Sequence, residues 1–229
     1  MRALPATAAH VFVVDLDAPT LAADDAHHLE RVLRLRPGEE LTVADGLGSW
    51  RLCVFVDGAR VEPAGEIQRV EQPATLVTVA FALTKGDKPE LAVQKLTELG
   101  VDRIVPLAAA RSVVRWDEDK AGRNAVRLRA VARSAAMQSR RAQLPAVADV
   151  TTLEAFAGTT PGGALAHPGA GRLDASVTAV AIGPEGGWSD AELASLARHV
   201  DLGPTTLRAE TAAVAAGVLL TGFRDGRLR

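Results

Sequence analysis

The chain has 229 residues, 48% of them hydrophobic and 24% charged, enough for a small and a medium domain that each bury a core. A net charge of −2 argues against non-specific coating of nucleic acid. The single cysteine, Cys53, excludes an intramolecular disulfide framework and a cysteine-based metal cluster.

No apolar run reaches membrane-spanning length, and the stretch MRALPATAAHVFVV lacks the basic, apolar and cleavage regions of a secretory leader. The expectation is a cytoplasmic protein without metal or membrane partner. Aromatic residues are few, at three Trp, five Phe and no Tyr, so any RNA contact should rest on charge and shape more than on base stacking.

In chain order, Val11–Val14 reads as a strand, and Asp24-Asp25 opens a helical turn that carries His27, His28 and Leu29 on to Leu33. Arg36-Pro37-Gly38 is a turn and Glu40–Ala44 a strand. Asp45-Gly46 gives a hairpin signal before a return strand at Trp50–Val56. Asp57-Gly58 turns the chain again and Ala64–Val70 is a further strand. Short strands punctuated by Asp-Gly turns predict a small barrel.

Glu71-Gln72-Pro73 reads as a linker, giving domains at 1–72 and 73–229. Beyond it strands alternate with helices, the signature of an α/β domain with a mostly parallel sheet. Leu76–Leu83 is a buried strand, and Pro89 starts a helix that Gly100 closes. Ile104–Leu107, Gly163–Ala166 and Thr178–Ile182 are strands, and Arg123 to Gln138 is helical. Ser189 caps a helix with Glu192 as its capping-box partner. The last helix, from about Glu210 to Gly222, is apolar nearly all round and therefore buried.

Two segments carry the chemistry. Thr178–Ile182 runs straight into Gly183-Pro184-Glu185-Gly186-Gly187, a glycine turn at the carboxyl end of a strand, where open α/β sheets bind ligands. It is neither a phosphate-binding P-loop nor GxGxxG, which disfavours ATP and dinucleotides. The second segment is Leu202-Gly203-Pro204-Thr205-Thr206-Leu207-Arg208-Ala209-Glu210-Thr211-Ala212, a loop leading into a helix. Taken alone, Glu210 there could simply complement the helix dipole.

Taken together, these segments resemble the 16S ribosomal RNA uridine-N3 methyltransferases, the RsmE family of the SPOUT superfamily. The likeness extends through His27-His28-Leu29, Val32-Leu33-Arg34, Arg36-Pro37-Gly38 and Asp45-Gly46 with Gly48. It continues in Leu83-Thr84-Lys85-Gly86-Asp87-Lys88, Gln94–Val101, Arg111–Val114 and Gln138-Ser139-Arg140. The chain departs from the family pattern at Ala109, Ala110, Ser134, Met137 and Thr205.

The resemblance implies a SPOUT domain with a deep trefoil knot, a PUA-like N-terminal barrel, an obligate homodimer and S-adenosylmethionine as cofactor. The cofactor would lie on three loops. Mapped here, these hold Leu165, Ala166 and His167, then Ile182, Gly183, Pro184, Glu185, Gly186 and Gly187, and finally Leu202, Gly203, Leu207, Arg208, Thr211 and Ala212. The implied substrate is 16S ribosomal RNA or the small ribosomal subunit.

Uracil N3 is protonated at neutral pH, so a base or an anion stabiliser is expected. Arg208 is the candidate stabiliser, Glu210 an orienter and Glu98 a third catalytic candidate. His27, His28, Arg31 and Arg34 resemble RNA-facing positions of the family, and Lys85 and Arg111 lie in its matched motifs. Between Lys120 and Ala148 there are six arginines and no carboxylate. At about 100° per residue, Arg129, Arg133 and Arg140 form one stripe and Arg123, Arg127 and Arg141 an adjacent one, an expected phosphate-binding face. The alternatives are a ribose 2′-O-methyltransferase of the same superfamily and a non-catalytic RNA-binding assembly factor.

Overall fold

The computed structural model describes residues 4–228. Residues 1–3 and 229, the outer ends of the two expected domains, lie outside the described residues. The chain forms two compact units, one from residues up to 73 together with 133–144, the other from 74–132 and 145 onward.

The first unit is a five-stranded sheet. β1 (Ala9–Phe12) pairs in parallel with β2 (Glu40–Ala44), and β2 pairs antiparallel with β3 (Ser49–Asp57). β3 also pairs with β4 (Arg60–Pro63) and β5 (Gln68–Arg69). The β2–β3 connection follows its Asp-Gly signal. Asp45 Oδ1 accepts from the N–H groups of Leu47 and Ser49, at 2.7 and 3.0 Å, and Gly46 sits at φ 78°. The strand expected over Ala64–Val70 shrinks to β5, and β4 was not foreseen, because its polar Arg-Val-Glu-Pro run carries no apolar signal.

The helical turn is α1 (Ala23–His27), continued by a π-helical turn over His28–Val32. Leu29 is buried, while His27, His28, Arg31 and Arg34 are exposed, Arg34 at φ 56°. Val11, Leu29, Leu41, Val43, Cys53 and Phe55 form this unit's main core. Burial pushes the Cys53 thiol up to about 11, so it remains a neutral packing group.

Residues 133–144 close a second cluster, in which Ala136 and Ala142 pack with Leu4, Phe12, Ala44 and Trp50. Arg133 grips Asp25 through two donors, at 2.9 and 2.7 Å, and donates to the Phe12 carbonyl at 3.1 Å. Arg140 donates to Thr7 Oγ1 at 2.8 Å and to the Thr7 carbonyl. The outward basic face expected from helical spacing therefore fails at these two residues and at Arg141, which is buried. The helix ends at Gln138, and Arg140 lies beyond it at φ 55°, where 100° steps no longer apply.

The second unit holds a six-stranded sheet in the order β11-β9-β10-β6-β7-β8, every pairing parallel. Its strands are β6 (Thr78–Ala82), β7 (Arg103–Leu107), β8 (Ala146–Val147), β9 (Ala164–Arg172), β10 (Ala179–Ile182) and β11 (Arg198–Asp201). Its helices are α2 (Lys88–Glu98), α3 (Glu118–Gln138, whose last turns belong to the first unit), α4 (Leu153–Thr159), α5 (Asp190–Ser195) and α6 (Ala209–Arg224).

The period of two along a strand sends alternate residues to opposite faces. Val79, Phe81, Val180 and Ile182 enter a core with α2, α3 and α6, whereas Ala80, Ala82 and Ala181 enter another with α4 and α5. Both faces are thus covered, as parallel sheets require. α6 lies close on α2. A Cβ on Gly217 would stand 2.8 Å from Leu96 Cδ2, so only glycine permits the approach. Among the described residues no helix is long and apolar enough to cross a membrane.

Candidate functional site

β9, β10 and β11 are neighbours in the sheet, and the middle of β9 with the chain leaving the carboxyl ends of β10 and β11 encloses a cavity of about 900 Å³. That volume falls within the range of about 300–1,000 Å³ typical of small-molecule sites. Ala166, His167 and Pro168 come from β9, Ile182 through Glu185 and Gly187 from the loop after β10, and Leu202, Gly203 and Thr205–Ala209 from the loop after β11. Ala212 closes the wall from the first turns of α6.

The glycine loop is built by close packing. A Cβ on Gly183 would stand 2.9 Å from Trp188 Cε2, and the buried Trp188 indole donates to the Ala166 carbonyl at 3.1 Å. Gly187 sits at φ 70°, a left-handed conformation that favours glycine. The expected capping box is present. Ser189 Oγ accepts from the Glu192 N–H at 3.3 Å, and Glu192 Oε2 accepts from the Ser189 N–H at 2.8 Å. Glu192 Oε1 also accepts from the Ala110 N–H at 2.8 Å, tying the glycine loop's helix to the segment after β7. Burial pushes the Glu192 carboxyl up, but the N–H groups of Ser189 and Ala110 outweigh it and hold it below the usual carboxylate range.

Arg111 and Arg208 both line the cavity and are exposed. Neither makes an ion pair within 4 Å among the described residues, although Arg111 is near enough to Glu192 to help hold its carboxyl ionised. Glu210 does not line the cavity. Its Oε1 pairs with Lys88 Nζ at 3.3 Å, and its Oε2 is buried without a hydrogen-bond partner. Lys88 also reaches Glu185 at 3.4 Å. Glu98 is not brought to the cavity either, being hydrogen-bonded to Lys95 at 2.8 and 3.0 Å. Leu165 is fully buried behind the wall, and Gly186 and Thr211 are exposed but do not line it.

Of the expected RNA-facing residues in this unit, Lys85 is exposed in the β6–α2 loop, and Arg129 is half-engaged with Asp149 at 2.7 Å. Trp188, Asp190, Leu193 and Asp201 line the cavity without having been singled out from sequence. Trp188 directly follows the glycine loop, which was the available signal. Asp201 belongs to the polar β11, which gives none.

A family profile described as the RNA methyltransferase domain matches residues 70–221, and one described as the RNA methyltransferase PUA domain matches residues 21–60. The ribosomal RNA small subunit methyltransferase E of Mycobacterium bovis is 37% identical, covering 93% of this chain and 86% of its own length. The chain belongs to this family. The methyltransferase E of Bacillus subtilis is 30% identical over 86% of this chain and 87% of its own.

Among solved structures, a methyltransferase from Legionella pneumophila in complex with SAM superposes with a TM-score of 0.82 at 26% identity, over 93% of this chain and 96% of that one. The methyltransferase E of Neisseria gonorrhoeae bound to S-adenosylmethionine gives 0.81 at 25% identity, over 93% and 97%. The glycine loop and the segment running into α6, which carry the sequence resemblance, wall the cavity together with β9.

Proposed function

We propose that the chain is an S-adenosylmethionine-dependent methyltransferase that modifies uracil N3 in 16S ribosomal RNA of the small subunit. The observation that carries this reading is the cavity itself. In a family member, the middle of β9 and the loops leaving the carboxyl ends of the adjacent parallel strands β10 and β11 meet around it, and relatives of the same fold hold S-adenosylmethionine. The residues fit that group. Backbone made accessible by Gly183 and Gly187, with the aliphatic side chains of Ile182, Leu202 and Leu207, suits adenine, while the start of α6 offers a partly positive helix end to a carboxylate.

When bound, the cofactor supplies a methyl group on a sulfonium. The protein's part is to align a nucleophile and exclude water. Each unit by which the uracil pKa exceeds ambient pH costs about 1.4 kcal/mol unless offset. Arg208, exposed on the cavity wall, offsets it by stabilising the uracil anion. Glu210, paired with Lys88 outside the cavity lining, acts only indirectly, by steadying the first turn of α6 next to Arg208. Glu98 is engaged with Lys95 and takes no part. Lys85, Arg111 and Arg129, with His27, His28, Arg31 and Arg34 of the N-terminal unit, receive RNA phosphates. Arg133 and Arg140 hold the N-terminal unit together instead.

The same reading gives the C-terminal unit a deep trefoil knot and the N-terminal sheet a closed PUA-like barrel. It makes the enzyme a cytoplasmic homodimer that needs no metal. The test is methylation of small subunits from a strain lacking the activity, followed by mass spectrometry of the product nucleosides. The expected product is N3-methyluridine. A ribose 2′-O-methylated nucleoside, or no methylation, would refute the reading.

A further inference from the structure

The parallel pairing of β9 with β11 is interrupted. Ala164 and Leu165 lie opposite Arg198 and His199, yet the next partners are Gly171 with Val200 and Arg172 with Asp201. Residues 166–170 are therefore looped out of the register with β11, as an extended bulge within β9. This loop nevertheless carries Ala166, His167 and Pro168 into the cavity wall. Its two ends are held from outside the ladder. Trp188 donates to the Ala166 carbonyl at 3.1 Å. At the other end Asp201 Oδ2 accepts from the Gly169 N–H at 2.8 Å, with Gly169 at φ 76°. The other oxygen of the same carboxylate, Oδ1, accepts from the Gly203 N–H at 3.1 Å.

We propose that Asp201 is a positioning residue for the methyl donor, its carboxylate stapling the looped-out segment of β9 to the loop after β11 so that two walls of the cavity are set before the donor arrives. The inference rests on the assignment of this cavity to S-adenosylmethionine. Both oxygens are used as acceptors, so an ionised carboxylate is the group required. The Gly203 and Gly169 N–H groups in turn hold this carboxyl below its usual range. Asparagine fills the same volume but turns an NH₂ toward one of the two donors, which breaks the staple without changing the shape. A wall that must be ordered on binding weakens affinity, whereas the aligned reaction, once the site is filled, is unchanged.

The test compares the full chain with Asp201→Asn and Asp201→Ala by calorimetric titration with S-adenosylmethionine, thermal melting and steady-state methylation. Both variants should raise the Kd and KM for the donor by about tenfold or more, with kcat at saturating donor close to that of the parent and melting unchanged. Variants that bind the donor as tightly as the parent, or that lose kcat at unchanged Kd, overturn the proposal. So does a loss of affinity that tracks a fall in melting temperature, which would make Asp201 merely structural. A parent chain that takes up no donor sinks the functional reading first and this proposal with it; normal uptake by parent and variants alike sinks the staple alone.

Discussion

Lys88 ties Glu210 to Glu185: its Nζ lies 3.3 Å from one carboxylate and 3.4 Å from the other. One ammonium at the start of α2 thus joins the glycine loop to the first turn of α6. Glu210 is only 14% exposed at its side chain, so removing its cation leaves a largely desolvated carboxylate without a partner. Lys88→Met should lower unfolding stability by about 1–3 kcal/mol and reduce turnover, as measured by urea denaturation and a methylation assay. Lys88→Arg should recover part of both. Equal stability of parent and Lys88→Met would show that the clamp contributes nothing.

The glycine loop makes a sharper prediction at Gly183. An added Cβ would meet Trp188 Cε2 at 2.9 Å, and the buried indole is tied to the Ala166 carbonyl, so it can retreat only by giving up that bond. Gly183→Ala should cost about 1–3 kcal/mol of stability through overpacking and weaken donor binding by displacing the Trp188–Ala166 bond, visible as a change in tryptophan fluorescence. Gly122 is the control. It lies within α3 with nothing within 4 Å of an added Cβ, so Gly122→Ala should stabilise by about 0.5–1 kcal/mol.

Acid should weaken the N-terminal unit through His10. This ring is buried, bonded through Nδ1 to Thr42 Oγ1 at 2.8 Å and through Nε2 to the Arg141 carbonyl at 3.0 Å. Burial lowers its pKa from 6.5 to about 4. The folded state resists protonation and the unfolded state accepts it. The penalty is therefore absent above pH 6.5, grows as pH falls toward 4, and reaches about 3 kcal/mol there. Denaturation of the parent and of His10→Gln at pH 7 and pH 4.5 isolates this term. The parent should lose more stability than the variant over that interval, and parallel losses would refute the assignment.

The basic character of α3 divides at Arg133. Its guanidinium grips the buried Asp25 and lies 5.7 Å from the Phe12 ring centroid. Arg133→Ala should destabilise by about 3–5 kcal/mol, the cost of stranding a buried charge, and replacing Asp25 by Asn in the same chain should recover part of it. Arg123 is exposed and, among the described residues, makes no such contact, so Arg123→Ala should leave stability within about 0.5 kcal/mol of the parent. If Arg133→Ala were equally silent, the grip would be dispensable.

Local chemistry announced much of this architecture. Asp45-Gly46 marked the β2–β3 hairpin, Pro89 and Gly100 bracketed α2, and Ser189 with Glu192 marked the start of α5, because each signal acts within a few residues. The glycine loop and the segment from Leu202 into α6 were legible as a site because their motifs are contiguous. What escaped depends on partners distant in sequence. Asp201 acts only because β11 docks beside β9, and Lys88 only because α2 meets α6 and the glycine loop. The arginine stripe misled because helical spacing cannot see the carboxylate of Asp25 or the end of the helix at Gln138.

Uptake of S-adenosylmethionine by the purified chain, measured by calorimetric titration, tests the central claim most directly. The account predicts saturable binding that Gly183→Ala weakens, since the cavity walls are set by the glycine loop and the segment entering α6. No measurable heat at saturating concentrations, or binding indifferent to Gly183, would contradict it.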